Sequence, residues 1–323
     1  MDTLSNEQWS QTSDAFVLQS KLSPPILPTA HVSRPALHSR LTASLETRVA
    51  VLVAPAGFGK TSLVLDWLST REEPSAWLSL EASENDLTSF LTYLIACLQT
   101  LSPHLGQQTL RQLQMFPQPP LNRLLGPLLN EMQQHKLTGI VVLDDFHHLT
   151  SSTIHEAFQL LLQHSPNSLH YVVTTRTQPE WSTSRWKAQR KLVELDAADL
   201  RFDRVQTEAL FQQVFNAELD KEEVDTLCQR TEGWVTALHI AGLSLPPGEG
   251  RQDFIREFRG DFHSLSDFLL EEVFSELEPS LQQFLLQTSL LRRFSALLCR
   301  ELLEIKSIEE RLKEVEHRGL FLV

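Results

Sequence analysis

From residue 49 onward, short runs of consecutive apolar residues alternate with longer stretches in which apolar positions recur every three or four residues. The runs at 49–53, 76–80, 140–143, 171–174 and 191–195 read as strands, several of them apolar on both faces, as strands of a covered parallel sheet are. The periodic stretches at 61–68, 87–98, 121–132 and 153–163 read as the helices between them. Alternation of this kind over about 150 residues predicts an α/β layer fold, a parallel sheet with helices on both faces and right-handed crossovers.

After about residue 202 the strand pattern stops. Residues 206–215, 221–228 and 234–243 read as a small helical unit, closed by the breaker run Pro246-Pro247-Gly248-Glu249-Gly250. Further amphipathic helices are predicted at 265–274, 279–289 and 307–317; in the last, Ile308, Leu312 and Val315 share one face, and Gly319 is a C-terminal stop. Before the sheet, residues 1–20 are polar and expected to be mobile, and Pro24, Pro25, Pro28 and Pro35 point to extended entry segments. The FPQPP stretch at 116–120 is expected to be a loop. Residues 320–323, Leu-Phe-Leu-Val, open as a buried strand, and two readings stand: a sheet edge, or a final unit that is incomplete.

Charge narrows the chemistry. Lys plus Arg number 28 against 41 Asp plus Glu, for a net charge of −13, which disfavours a nucleic-acid surface except through a local basic patch. The one locally basic stretch, 176–191, lies between two predicted strands and reads as a solvated helix face, so direct DNA binding by this chain is not expected. Hydrophobic content of 41% suits a folded protein. Cys97, Cys228 and Cys299 are widely spaced and odd in number, which argues against a disulfide framework or a zinc site. No apolar run is long enough to span a bilayer, and the N-terminus lacks the pattern of a secretory signal, so no membrane partner and a cytoplasmic location are expected.

The strand at 49–53 runs into Ala54-Pro55-Ala56-Gly57-Phe58-Gly59-Lys60-Thr61 and then into a helix. That is a P-loop in strand–loop–helix context, with Ala54 where the first glycine is usual. Gly57 and Gly59 let the backbone from Ala56 through Ser62 curl its N–H groups around a polyphosphate, with Phe58 between them. Lys60 is placed to reach the outer phosphates and Thr61 to ligate Mg2+. The run Gly139-Ile140-Val141-Val142-Leu143-Asp144-Asp145 delivers two carboxylates at the end of a strand, where ligands of open α/β sheets bind. Asp144 is assigned to the metal and Asp145 to orienting or deprotonating water. Arg176, just past the strand at 171–174, is either a contact to a terminal phosphate or a solvated loop residue.

The segments KLSPP, VSRP, VLVAPAGFGKTSLVLDWL, AWLSLEASEND, VVLDDFHHL, VVTTR and EGWVTAL, in that order, resemble the MalT-type ATP-dependent LuxR-family regulators of the STAND class of signal-transduction ATPases. The resemblance implies a nucleotide-binding domain over 31–202 after an extension at 1–30, a helical domain over 203–246, and a winged-helix domain, incomplete here, over 251–323. It implies an ATP/ADP switch with Mg2+, in which slow hydrolysis resets an ADP-bound resting state and ATP-bound forms assemble with one another or with full-length relatives. By position, Lys60 and Thr61 match the phosphate and metal ligands, Asp144 and Asp145 the acidic pair, and Arg176 the sensor arginine. Val32 and Arg34 fall where such proteins meet adenine. Gly233-Trp234 stands where many STAND relatives carry a glycine and a proline, and Trp234 reads as either core or nucleotide contact. The family's sensor and helix-turn-helix segments have no counterpart in these 323 residues.

Three functional readings follow: a regulatory ATP switch, a turnover ATPase, and a nucleotide-binding fragment without regulatory output. His147, His148 and His155 lie near the acidic pair, but their spacing fits no tetrahedral metal set, and they read as solvent or core histidines.

Overall fold

The computed structural model describes residues 17–115, 120–181, 183–246, 248–258, 263–275, 277–289, 291, 295–303 and 308–317. Five strands, β1 (Val49–Val53), β2 (Ser75–Ser79), β3 (Gly139–Asp144), β4 (Leu169–Thr175) and β5 (Leu192–Asp196), form one sheet in the order β2-β3-β4-β1-β5. All four pairings are parallel. Each predicted strand is present, with ends displaced by no more than two residues.

Alternate residues of the central strands feed two separate apolar layers. Val49, Val51, Val141, Leu143, Tyr171 and Val173 face one; Ala50, Leu52, Ile140, Val142 and Val172 face the other. Burial on both sides explains why these strands read as unbroken apolar runs instead of alternating ones. Among the described residues, eight α-helices accompany the sheet: α1 (Pro35–Ala43), α2 (Lys60–Ser69), α3 (Leu87–Gln99), α4 (Gln107–Met115), α5 (Leu121–Gln134), α6 (Ser152–His164), α7 (Thr183–Ala188) and α8 (Ala197–Leu200). Helices α3 to α7 cover the first face, with Phe90, Leu124 and Phe158 fully buried. Helices α1, α2 and α8 cover the second, around the fully buried Trp67.

Beyond the sheet, α9 (Arg204–Phe215), α10 (Lys221–Thr231), α11 (Val235–Leu243) and α12 (Arg251–Glu257) enclose a third core around Phe211, Leu227 and Leu238. The first two helices open with reciprocal capping boxes, Asp203 with Gln206 and Asp220 with Glu223. Next come α13 (His263–Leu269), α14 (Pro279–Thr288), α15 (Ala296–Leu302) and α16 (Ile308–His317). Leu281, Phe284, Cys299, Ile308 and Val315 form a fourth core among the last three. The second face of the sheet continues past its strands into Trp234, Ala237 and Leu265, so the helical segments are packed onto the loop end of β1.

Several expectations are corrected. Pro35 does not extend the entry segment but stands at the first position of α1, where a missing N–H is harmless and the fixed φ suits a helix. Residues 18–22 are anchored: Lys21 is buried, and its ammonium donates to both carboxylate oxygens of Glu84 at 2.8 and 2.9 Å. The helix predicted at 265–274 is α13 followed by a π-helical turn over Leu270–Phe274, closed by Ser275 N–H donating to the Leu270 carbonyl at 3.0 Å. The stretch at 176–191 keeps Trp181 and Trp186 in the core and puts Arg185, Lys187 and Lys191 outside, as a solvated helix face does. Most of the FPQPP stretch, Gly319 and the 320–323 strand lie outside the described residues. Among the described residues, no helix is long and apolar enough to cross a membrane. The three cysteines are free thiols.

Candidate functional site

The site is assembled at the carboxyl ends of β1, β4 and β3, which lie side by side. Leaving β1, Ala54 N–H donates to the Thr175 carbonyl of β4 at 3.2 Å, so the loop starts from a fixed point. Gly57 and Gly59 have φ of +75° and +74°, a conformation glycine adopts without steric cost, and α2 begins at Lys60. Lys60 is 7% exposed, and its ammonium donates to the carbonyls of Ala54 (2.7 Å) and Pro55 (3.0 Å). Burial lowers its pKa to about 8; the nearby Asp145 and Asp144 charges oppose that shift and Arg176 adds to it.

On β3, Asp144 is 4% exposed and accepts from the Thr61 hydroxyl at 3.0 and 3.2 Å. The register that pairs Leu143 with Val173 brings Thr174 alongside, and its hydroxyl donates to Asp144 Oδ1 at 2.5 Å while accepting from Asp145 N–H at 3.0 Å. Asp145 then turns into the left-handed region (φ 58°, ψ 43°), which short polar residues tolerate and which recurs at functional sites. This turn sends the two adjacent carboxyls to different environments, one buried and one 42% exposed. His147 Nδ1 lies 3.7 Å from Asp145 Oδ1; both ring nitrogens are buried without a hydrogen-bond partner. Burial, with His148, Arg176 and Lys60 nearby, lowers its pKa to about 2, so the ring is neutral. His155, by contrast, is a core residue whose Nε2 meets the Leu149 carbonyl at 2.7 Å.

Burial, reinforced by the Asp145 charge, raises the pKa of Asp144 to about 6 despite the Thr174 and Thr61 hydrogen bonds. A carboxyl whose folded pKa lies above its unfolded value binds protons more tightly when folded. Stability is therefore lost as pH rises from about 3.8 to about 6, by up to about 3 kcal/mol, and stays lost above that. In urea titrations without metal or nucleotide, the stability of Asp144→Asn relative to wild type is expected to rise across that window; a constant difference would refute the assignment.

Arg176 lies within electrostatic reach of Lys60 but is engaged elsewhere: Nη1 donates to the Glu272 carbonyl at 2.8 Å, and Nη2 is 3.8 Å from Glu272 Oε2. Glu272 belongs to the π-helical turn.

Beside the loop opens a cavity of about 530 Å3. Gly57, Phe58, Gly59 and Ser62 form its floor. Its apolar walls include Val32 from the entry segment, Phe202 and Leu210 at the start of the helical unit, and Ile240 of α11. Arg34 also lines it, but its guanidinium is committed to the carbonyls of Leu200 (2.8 Å), Asp199 (3.1 Å) and Arg201 (3.0 Å) and covers the Phe202 ring at 4.9 Å. Arg34 thus holds a wall of the cavity in place. Asp66 of α2, also in the lining, is approached by His31 Nε2 (3.0 Å) and His38 Nε2 (2.9 Å). Trp234 reaches the loop as well: its indole N–H donates to the Ala56 carbonyl at 3.2 Å, and Thr236 Oγ1 donates to the Gly57 carbonyl at 2.9 Å. Trp234 is therefore a core residue that also touches the P-loop, since the second sheet-face core ends there.

Thr174, His147 and Thr236 were missed as site residues. The VVTTR and EGWVTAL segments contained two of them, but only the strand register and the docking of α11 bring them to the loop.

Over 309 residues, 95% of its length, the chain is 30% identical to the HTH-type transcriptional regulator MalT of Yersinia pestis (strain Pestoides F) and equally to that of Yersinia enterocolitica serotype O:8. Residues 270–323 match the MalT winged helix domain family. Over nearly its whole length the chain is thus similar to the leading part of MalT regulators. It spans about a third, 34%, of the length of these curated relatives. Its fold is similar to that of a STAND protein with a tetratricopeptide repeat sensor from Pyrococcus horikoshii, with a TM-score of 0.52 and 17% identity over 92% of this chain and 40% of that one. The winged-helix match begins in the π-helical turn that holds Arg176.

Proposed function

We propose that the chain is the nucleotide-binding switch of a MalT-like regulator, taking ATP or ADP with Mg2+ and hydrolysing ATP slowly to reset itself. The observation that carries this reading is the continuity of the site: one cavity runs from the P-loop to Val32 and Phe202, walled by the entry segment, the sheet domain and the helical unit together. A volume of about 530 Å3 is within the range of pockets that enclose a small ligand.

The residues divide the work by position. Lys60, whose ammonium rests on two carbonyls of its own loop, is the charge that would turn to phosphate oxygens. Thr61 and Asp144 would hold the cation; a hydroxyl and a buried carboxyl already in contact fit Mg2+, which takes one or two protein oxygens beside phosphate and water. Among the described residues, no cluster of His, Cys, Asp and Glu could hold a metal alone, which suits a cation that arrives with its nucleotide. When bound, the cation would neutralise charge on the phosphates. Asp145, exposed and beside the neutral His147, is placed to orient a water molecule and accept its proton. Arg176 is the candidate sensor of the terminal phosphate, with residue 272 as its alternative partner.

DNA-directed output, inducer sensing, assembly and a cytoplasmic setting are proposed for the whole regulator, whose named relatives are HTH-type transcriptional regulators. The domain limits 31–202, 203–246 and 251–323 are proposed on the same footing, although Ile255 and Phe258 pack into the third core with α9 to α11 and the buried residues of the fourth core begin at Leu277.

The test is to denature freshly purified protein and identify the released nucleotide by chromatography. ADP approaching one per chain is expected. An empty protein with rapid steady-state ATP turnover would overturn the switch reading in favour of a turnover ATPase.

A further inference from the structure

Two successive P-loop carbonyls point away from the sheet domain and into the start of α11. The Ala56 carbonyl accepts from Trp234 Nε1 at 3.2 Å. The Gly57 carbonyl accepts twice from Thr236, from Oγ1 at 2.9 Å and from the backbone N–H at 3.3 Å. Trp234 is the N-cap of α11 and Thr236 lies in its first turn, where helix N–H groups lack partners within the helix. The approach is close: a Cβ on Gly57 would stand 2.3 Å from Thr236 Oγ1 and 2.9 Å from Trp234 Nε1.

A planar trans peptide carries its C=O and N–H in opposite directions, and the chain has no cis peptide among the described residues. Tying the Ala56 carbonyl to Trp234 therefore turns Gly57 N–H away from α11, and tying the Gly57 carbonyl to Thr236 does the same for Phe58 N–H. We infer that Trp234 and Thr236 are positioning residues for phosphate binding: they staple the outer side of the P-loop so that its N–H groups face an anionic phosphate. They touch no phosphate themselves. A loop rich in glycine has many accessible conformations, and fixing two peptide planes beforehand removes that ordering cost from binding. The proposal rests on the nucleotide reading and adds a consequence to it: affinity for the phosphates depends on how α11, an element of the helical unit, is seated.

The experiment uses the full chain and Mg2+–ADP, with affinity measured by titration calorimetry. Thr236→Val deletes the hydroxyl donor with little change of shape and is expected to weaken ADP binding by about threefold to tenfold, the range of one net hydrogen bond. Thr236→Ser restores the donor and should return affinity to within about twofold of wild type. Trp234→Phe should weaken binding to a similar extent. In parallel, amide hydrogen exchange on nucleotide-free protein should be faster at 57–60 in Thr236→Val while α11 itself is unchanged. Wild-type affinity in both Thr236→Val and Trp234→Phe would overturn the proposal, as would failure of serine to rescue or faster exchange throughout α11. If the wild-type chain binds no ADP, the nucleotide reading falls, and the exchange at 57–60 still decides whether the staple orders the loop.

Discussion

Lys60→Ala is expected to abolish measurable nucleotide binding, weakening Mg2+–ADP affinity by about 100-fold or more. A charged hydrogen bond to phosphate in a shielded site contributes about 1.5–3 kcal/mol, and every 1.4 kcal/mol is tenfold in affinity. Lys60 belongs at the upper end because it is 7% exposed, so little of its charge is screened by water. The same burial predicts a pH signature. With a pKa lowered to about 8, Lys60 in the free protein loses its proton as pH rises through that value, and phosphate binding must then recover the proton. Wild-type affinity for ADP should accordingly decline above about pH 8, measured by titration calorimetry in buffers of different ionisation enthalpy. Unchanged affinity in Lys60→Ala would remove Lys60, and with it the P-loop, from the site.

Asp145→Asn should separate binding from hydrolysis. Its expected effect is a loss of about 100-fold to 10,000-fold in ATP turnover, the usual worth of a positioned general base, with ADP affinity within about threefold of wild type. The separation follows from the division between the two neighbouring acids. Asp144 is buried and holds the Thr61 and Thr174 hydroxyls; Asp145 is 42% exposed and contributes only its backbone N–H to Thr174. Asparagine keeps that N–H and tolerates the left-handed conformation at 145, so the loop geometry should survive. Turnover equal to wild type, in a single-turnover assay with radiolabelled ATP, would remove the proton-accepting role from Asp145.

The parts of the site that follow one another in the chain were legible. Residues 49–61 form strand, loop and helix in immediate succession, and 139–145 place their carboxyls at a strand end by themselves. Groups that reach the site through pairing between distant segments were not. Thr174 becomes a ligand of Asp144 only through the β3–β4 register, and a threonine at a strand end carries no signal of its own. Trp234 and Thr236 meet the loop across separations of 178 and 179 residues, which no local pattern encodes. For Arg34 the hydrogen bonds to the carbonyls at 199–201 were not legible, because β5 and α8 bring those neighbours in. Pro35 misled for a different reason. The residue that excludes a helix interior also favours a helix start, and only the following turn distinguishes the two.

The anchoring of Arg176 has a genetic corollary. Its short contact at 272 is to a main-chain oxygen, while the carboxylate there stands 3.8 Å away. Any side chain at 272 presents the same carbonyl, so replacing Glu272 leaves the stronger half of the contact in place. On the proposed switch, a screen for variants locked in one nucleotide state would therefore find this joint at position 176, or at residues that set the path of the π-helical turn, and scanning the surface residue by residue would pass over its other half.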